Sequence, residues 1–476
     1  MLNLSRRSFF SRLGSGVQGA ALASLLGPDR LSSASVDSHP GVYDLKPRPA
    51  HFQPKAKAVI HLFMNGGQSQ VDLFDPKPML QKLAGSPPSR DLLSELEFAD
   101  QGGGMLPSPF KFSRHGKCGM ELSELLPHLG ECADDIVLVR SMYGEHFNHE
   151  PAIYLVQSGR TLPGRPSLGA WVVYGLGSEN QNLPAYVVLD DPKGLPVNGT
   201  QNWQSGWLPP VFQGTRFRSE GPPLLNLETP EDISPSVAEA YRGLLHELDE
   251  SHRRQRPGQP ELEARISTFE LAANMQMAAT DALDFSKESD ATKEMYGLND
   301  AITASYGKRC LMARRLVERG VRFVQIFIER QIWDAHSAIE ESLRYSCGKT
   351  DKPAAALIKD LKQRGLLDST LVFSCGEFGR MPITQFRVPG SPGRDHNPSG
   401  FTVWMAGGGV KGGTVYGATD DLGYKAVENR VSVHDFHATM LHLLGMNFRD
   451  LAYDRHGLKE RLTDQFPARV VSEIIS

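Results

Sequence analysis

Cysteine is scarce in this sequence, with five thiols in 476 residues, an odd number and no Cys-x-x-Cys spacing. That argues against a disulfide framework and against metal sites built on closely spaced thiol pairs. Cys118 and Cys132 are the two that pair if the fold brings them together; otherwise Cys118, Cys132, Cys310, Cys347 and Cys375 are expected to be mostly free, buried thiols. Charge of one sign is also lacking. The net charge is −4, from 51 basic and 55 acidic residues, so nothing favours nucleic acid or an anionic membrane as partner. Long hydrophobic runs are missing too. Past the N-terminal region no stretch reaches the roughly 18 apolar residues that a spanning helix needs, so no stable membrane span is expected in the mature chain. What remains is ordinary globular composition, 40% hydrophobic and 22% charged. The length suits one large α/β domain with insertions, or two domains sharing an interface.

The N-terminus has a pattern of its own. Ser5-Arg6-Arg7-Ser8-Phe9-Phe10 precedes a short apolar run from Gly14 to Leu26, followed by small residues from Ser32 to Ser35. A basic start, a brief apolar stretch and small residues read as an export signal over residues 1–35. The adjacent arginines followed by Phe-Phe resemble the twin-arginine signal. The expected partner is then the twin-arginine export machinery, and the expected location is periplasmic or secreted. A linker over 36–57 would lead into the main domain, 58–476.

Six short apolar runs read as buried strands: 58–64, 136–140, 184–189, 321–327, 370–374 and 401–406. Helical patterns lie between several of them. Tyr306 to Arg319 stops at Gly320, Ala354 to Gln363 stops before Gly365, and Ala438 to Leu444 stops at Gly445, each a natural C-terminal glycine. Alternating helices and buried strands predict an α/β fold in three layers, a mostly parallel central sheet with helices on both faces. Residues 229–300 are charged and helical, broken by a basic loop from Arg253 to Pro260, and read as a helical insertion. Functional residues should gather beyond the carboxyl ends of the strands.

Four segments fit that expectation. Trp333-Asp334-Ala335-His336 lies just past one strand, and an Asp and a His two apart on a loop can converge on one cation. Cys375-Gly376-Glu377-Phe378-Gly379-Arg380 directly follows another, with glycines that permit a tight turn presenting a carboxylate. Gly393-Arg394-Asp395-His396-Asn397 is a third, and His434-Asp435-Phe436-His437 opens the last helix. Each has a plainer explanation as a surface turn, an ion pair or a helix cap. Together they point to a metal or anion site.

These segments also carry a resemblance. Thr370 to Arg380, the Arg394-Asp395-His396 loop, and His434 to Leu441 before Leu443-Leu444-Gly445 look like the closing half of alkaline-phosphatase and sulfatase enzymes. More closely, the sequence resembles the bacterial family of unknown function numbered 1501. That likeness rests on Asn65-Gly66-Gly67-Gln68-Ser69-Gln70-Val71-Asp72-Leu73-Phe74-Asp75-Pro76-Lys77-Pro78 and on the Trp-Asp-x-His, Gly-Glu-Phe-Gly-Arg and Gly-Arg-Asp-His segments. It runs from about residue 58 to the C-terminus.

The resemblance implies an alkaline-phosphatase-like fold and a hydrolase of phosphate or sulfate esters. It implies Asp334, His336 and His396 on one metal, with Glu377 in place of an aspartate and Phe378 where relatives carry a further ligand. Asn65 or Asp72 would substitute for the aspartate ending the first strand, and Asp395, His434 and His437 complete the candidate ligands. Zinc or manganese suits this mixture of imidazole and carboxylate, with calcium behind them. Arg380 and Arg394 would bind the anionic ester, for instance a sulfated or phosphorylated polysaccharide. The C/S-x-P-x-R sulfatase signature is missing. Where a nucleophile is due, the sequence offers Asn148 and His149, so either metal-activated water or His149 attacks. The rival is a non-catalytic protein that binds metal or ligand on the same fold.

Overall fold

The computed structural model describes residues 44–94, 102–221, 224, 233–257, 259–388 and 390–476. The expected export signal and the first part of the expected linker lie outside the described residues.

All six expected strands form, and each is apolar because it is covered on both faces. They are β1 (Ala58–Phe63), β2 (Ile136–Tyr143), β3 (Tyr186–Leu189), β5 (Phe323–Phe327), β6 (Thr370–Cys375) and β7 (Phe401–Ala406). Three shorter strands join them: β4 (Thr215–Phe217), β8 (Thr414–Tyr416) and β9 (Val431–Ser432). These three were not legible, because two or three residues are too few to show a period. The sheet runs β8-β2-β7-β6-β1-β5-β3-β4, with β9 also beside β2. β7 is antiparallel to both its neighbours, and every other pairing in the sheet is parallel.

Helices of nine residues or more are α1 (His149–Ser158), α2 (Leu168–Leu176), α3 (Pro235–Gln255), α4 (Pro260–Leu283), α5 (Ala304–Glu318), α6 (Ile339–Gln363) and α7 (Val433–Leu443). Along β1 the side chains alternate between layers. Ile60 and Leu62 pack with Leu311 and Leu316 of α5 and Leu357 and Leu361 of α6. Val59 and Phe63 pack with Ile153 of α1, Trp171 of α2 and Met440 of α7. The result is the expected three-layer α/β/α arrangement. The expected insertion contains α3 and α4 as a helical pair, and its basic turn is partly tied down by Arg253, which meets Glu263 at 2.8 Å and also Glu250. α6 begins 15 residues before the helix the sequence predicts, because Pro353, which interrupts the pattern, is accommodated inside it.

Residues 44–57 lie against the helical layer: Arg48 donates to the carbonyls of Val173 and Tyr174 at 3.2 and 3.1 Å. All five cysteines are free, four of them buried and Cys118 exposed. Among the described residues no helix is long and apolar enough to cross a membrane.

Candidate metal centre

Five chain segments meet beyond the carboxyl ends of the strands. β1 runs into Asn65-Gly66-Gly67, β5 into the loop carrying Asp334 and His336, and β6 into Gly376-Glu377. The stretch after β2 leads to His149, the first residue of α1. The fifth segment is the two-residue antiparallel ladder pairing Gly379–Arg380 with His396–Asn397, which sets Arg380 opposite His396 and brings that imidazole inward. Gly66 makes the approach possible. Its φ is +105°, and a Cβ there would lie 2.5 Å from the backbone nitrogen of Asp334.

One ligand atom each from His149, Asp334, His336 and His396 lie within 4.8 Å of one another. Asp334 Oδ1 is 2.8 Å from His336 Nε2, 3.1 Å from His396 Nε2 and 3.4 Å from His149 Nε2. His336 Nε2 and His396 Nε2 stand 2.9 Å apart. Four ligands at zinc–nitrogen and zinc–oxygen distances on a tetrahedron have neighbouring atoms about 3.3 Å apart. The observed 2.8–3.4 Å separations bracket that edge, so the donor set fits a small divalent cation in kind and in spacing. The side chains of Asp334 and His149 remain 22% and 15% exposed, which leaves the cluster open to solvent on one side.

The tautomers are set from behind. His149 Nδ1 meets Glu377 Oε1 at 2.6 Å, which makes Nδ1 the protonated nitrogen and turns the Nε2 lone pair toward the cluster. That Nε2 is buried and faces Asp334 Oδ1 at 3.4 Å. His336 Nδ1 similarly faces Gln385 Oε1, freeing its Nε2. Both carboxylate oxygens of Glu377 also accept from the Gly66 amide, at 2.9 and 3.1 Å. Arg380, fully buried, donates to Asp334 Oδ1 at 2.7 Å and to the carbonyls of Gly66, Gly67 and Arg394. Phe378 walls the cluster, its ring centroid 4.5 Å from that of His396 and 4.9 Å from that of His149.

The electrostatics follow from these contacts. Burial pushes the Asp334 carboxyl up, but the Arg380 charge and hydrogen bonds from His149, His336 and His396 outweigh it and hold the group well below the ordinary carboxylate range. Burial likewise works against charge on His149; its bonds to Asp334 and Glu377 reverse the sign and raise it to about 9. His336 is lowered, chiefly by burial, with Asp334 opposing and Arg380 adding to the shift. With no cation present, the two carboxylates Asp334 and Glu377 favour a proton on His149.

The cluster therefore gathers Asp334, His336 and His396 as the sequence predicted. His149, which the sequence left open between nucleophile and ligand, stands in the same cluster, and Glu377 reaches the cluster through His149. Other candidates are drawn away. Asp72 is taken by Arg394 at 2.7 and 2.9 Å and by the Ser69 hydroxyl at 2.5 Å. Arg394 and Arg380 are both consumed inside the protein, so neither guanidinium faces outward as expected of an anion binder. The Asn65 side-chain amide holds the carbonyls of Ile328 and Arg330. Asp395 caps the His396 amide at 2.8 Å. His434 and His437 bond the carbonyls of Gly159 and Val156 at 2.9 and 2.8 Å, tying α7 to the end of α1. Asn148 is the N-cap residue of α1 but makes no side-chain capping bond. Gln385 carried no signal in the sequence, because a glutamine within a strand has no motif to mark it.

Among solved structures, the lipoteichoic acid synthase LtaP from Listeria monocytogenes is similar, 10% identical with a TM-score of 0.37 over 85% of this chain and 76% of that one. A magnesium-bound mutant of TAB5 alkaline phosphatase is 11% identical, with a TM-score of 0.34, over 83% of this chain and 100% of that one. The PsFucS1 sulfatase from Pseudoalteromonas sp. is 13% identical, with a TM-score of 0.31, over 82% and 68%. No curated protein sequence matches the chain. Residues 56–475 match the family described as protein of unknown function (DUF1501), and the chain belongs to that family.

Proposed function

We propose that this protein is an exported, metal-dependent hydrolase of phosphate or sulfate esters. The observation that carries the reading is the convergence of His149, Asp334, His336 and His396 on one point, open to solvent on one side. A divalent cation held there, zinc or manganese by the donor set, would supply Lewis acidity and activate water. The chain's own residues do the rest. Glu377 fixes the His149 ring, Gln385 fixes that of His336, and Arg380 keeps the Asp334 carboxylate ionised and in place. Phe378 excludes water from one wall. Water adds to the phosphorus or sulfur, the bond to the leaving oxygen breaks, and that oxygen departs with a proton. With His149 held as a ligand by Glu377 and Asp334, water is the better-supported nucleophile.

The test is metal analysis of the purified mature protein, followed by assays with aryl phosphates and aryl sulfates. Stoichiometric metal with turnover of one ester class, both lost in Asp334→Ala/His336→Ala, is expected. Turnover retained in that double variant would remove the cluster from the chemistry. Stoichiometric metal with no turnover of either ester would favour the binding-protein reading, whose motivation is that α1 opens with His149 rather than a serine, threonine or cysteine.

A further inference from the structure

Resting on the ester-hydrolase reading, we infer that Arg330 is the residue that binds the oxyanion of the substrate. The two arginines expected in that role are used up internally, whereas Arg330 is exposed and its guanidinium makes no hydrogen bond or ion pair among the described residues. Its position is unusual in a way that needs explaining. Arg330 has φ +41°, in the left-handed region that side-chain-bearing residues avoid. Such strain persists only where the surroundings impose it, and it concentrates at ligand-binding sites.

Two independent anchors impose it here. On one side, Asn65 Nδ2 donates to the carbonyls of Ile328 and Arg330 at 2.5 and 2.8 Å, while the Asn65 carbonyl accepts from the Trp333 amide at 3.2 Å. On the other, the neighbouring Glu329 carboxylate is held inward by the Tyr345 hydroxyl at 2.6 Å, Lys349 at 2.9 Å and Lys193 at 3.3 Å. With residue 329 pulled into the protein and residue 330 pinned by its carbonyl, the Arg330 side chain is turned outward.

It is turned out at the right place. Arg330 lies four residues before Asp334, and its anchor Asn65 adjoins Gly66, whose amide holds Glu377 behind His149. The Arg330 side chain lies across Gly194, where a Cβ would stand 3.3 Å from its Cγ. The loop of Gly194 is in turn fastened to the first turn of α1, the helix that His149 begins, through Asn198 Nδ2 and the Glu150 carbonyl at 2.9 Å. A planar, permanently charged guanidinium on the loop that carries Asp334 would match a tetrahedral oxyanion through paired hydrogen bonds.

The test uses Arg330→Gly and Arg330→Lys in the full mature protein. Binding of inorganic phosphate and of sulfate is measured by calorimetry, with thermal unfolding and metal content followed in parallel. Arg330→Gly is expected to weaken anion binding roughly 10- to 100-fold. Its unfolding midpoint should stay or rise, because glycine adopts a positive φ without penalty. Arg330→Lys should weaken binding less. A purely structural arginine would show the opposite pattern, lower stability with unchanged binding, and that result overturns the inference. So does a wild-type protein that binds neither anion. Normal metal and ester turnover with unaltered anion binding in Arg330→Gly removes Arg330 alone. Loss of anion binding in Arg330→Gly, in a protein that hydrolyses neither ester, keeps Arg330 and removes the hydrolase reading.

Discussion

Arg394 and Asp72 are 322 positions apart in sequence, yet their fully buried side chains meet in two parallel hydrogen bonds of 2.7 and 2.9 Å. The remaining Arg394 donors reach the carbonyls of Leu106 and Met381 at 3.0 and 3.2 Å. The pair thus clamps the loop after β1, the strand-side turn after β6 and the His396 loop into one rigid floor.

Removing one partner leaves a buried charge with no compensation, which typically costs about 3–5 kcal/mol. Asp72→Ala and Arg394→Ala should each lower unfolding stability by that order in denaturant titrations. The double variant Asp72→Ala/Arg394→Met should recover a large part of the loss. If Arg394 instead contacted substrate, Arg394→Ala would alter KM at nearly unchanged stability.

Glu377 acts through His149, so its charge can be removed without moving the backbone. Glu377→Gln should weaken metal affinity by about 10- to 100-fold, the usual effect of losing a carboxylate behind a ligating imidazole. Competition against a chromophoric chelator measures this. An unchanged affinity would detach Glu377 from the cluster.

A cation that binds the folded cluster and not the unfolded chain stabilises the fold by mass action, about 2.7 kcal/mol at a hundredfold excess over Kd. Chelation should therefore lower Tm, and readding zinc or manganese should restore it. Asp334→Asn should abolish that metal-dependent increment. If Tm is indifferent to chelator and to added metal alike, the cluster holds no cation in solution.

Two buried histidines, His61 on β1 and His437 on α7, give the fold an acid limit. Burial lowers His61 to about 3, with the His437 charge adding to it, and burial lowers His437 to about 3 although its bond to the Val156 carbonyl opposes the shift. Both folded values lie below the unfolded value near 6.5. The associated stability is therefore fully present above pH 6.5 and is lost progressively as the pH falls from there toward 3. Each group contributes a slope of about 1.4 kcal/mol per pH unit within that window. Denaturation midpoints measured from pH 7.5 to 4.5 should show the decline, and His61→Gln should flatten it by roughly one proton. An unaltered slope would mean that His61 is not kept neutral by the fold.

The framework of this protein was legible in its sequence because it rests on local signals. Apolar runs such as Ala58–Phe63 and Thr370–Cys375 can be covered only as buried strands, and glycines at 320, 365 and 445, all with positive φ, end helices wherever they lie in the chain. The loops bearing Asp334, His336 and His396 were visible for the same reason, since they follow strands. Tertiary structure alone decided which groups share a site. The order β2-β7-β6-β1-β5 sets the carboxyl ends of β1, β5 and β6 side by side and brings His149 to them from beyond β7. The same packing turns His434 and His437 toward the end of α1 and closes Arg394 on Asp72. No spacing encodes these choices, because coordination and ion pairing depend on distances of a few ångströms between segments hundreds of residues apart.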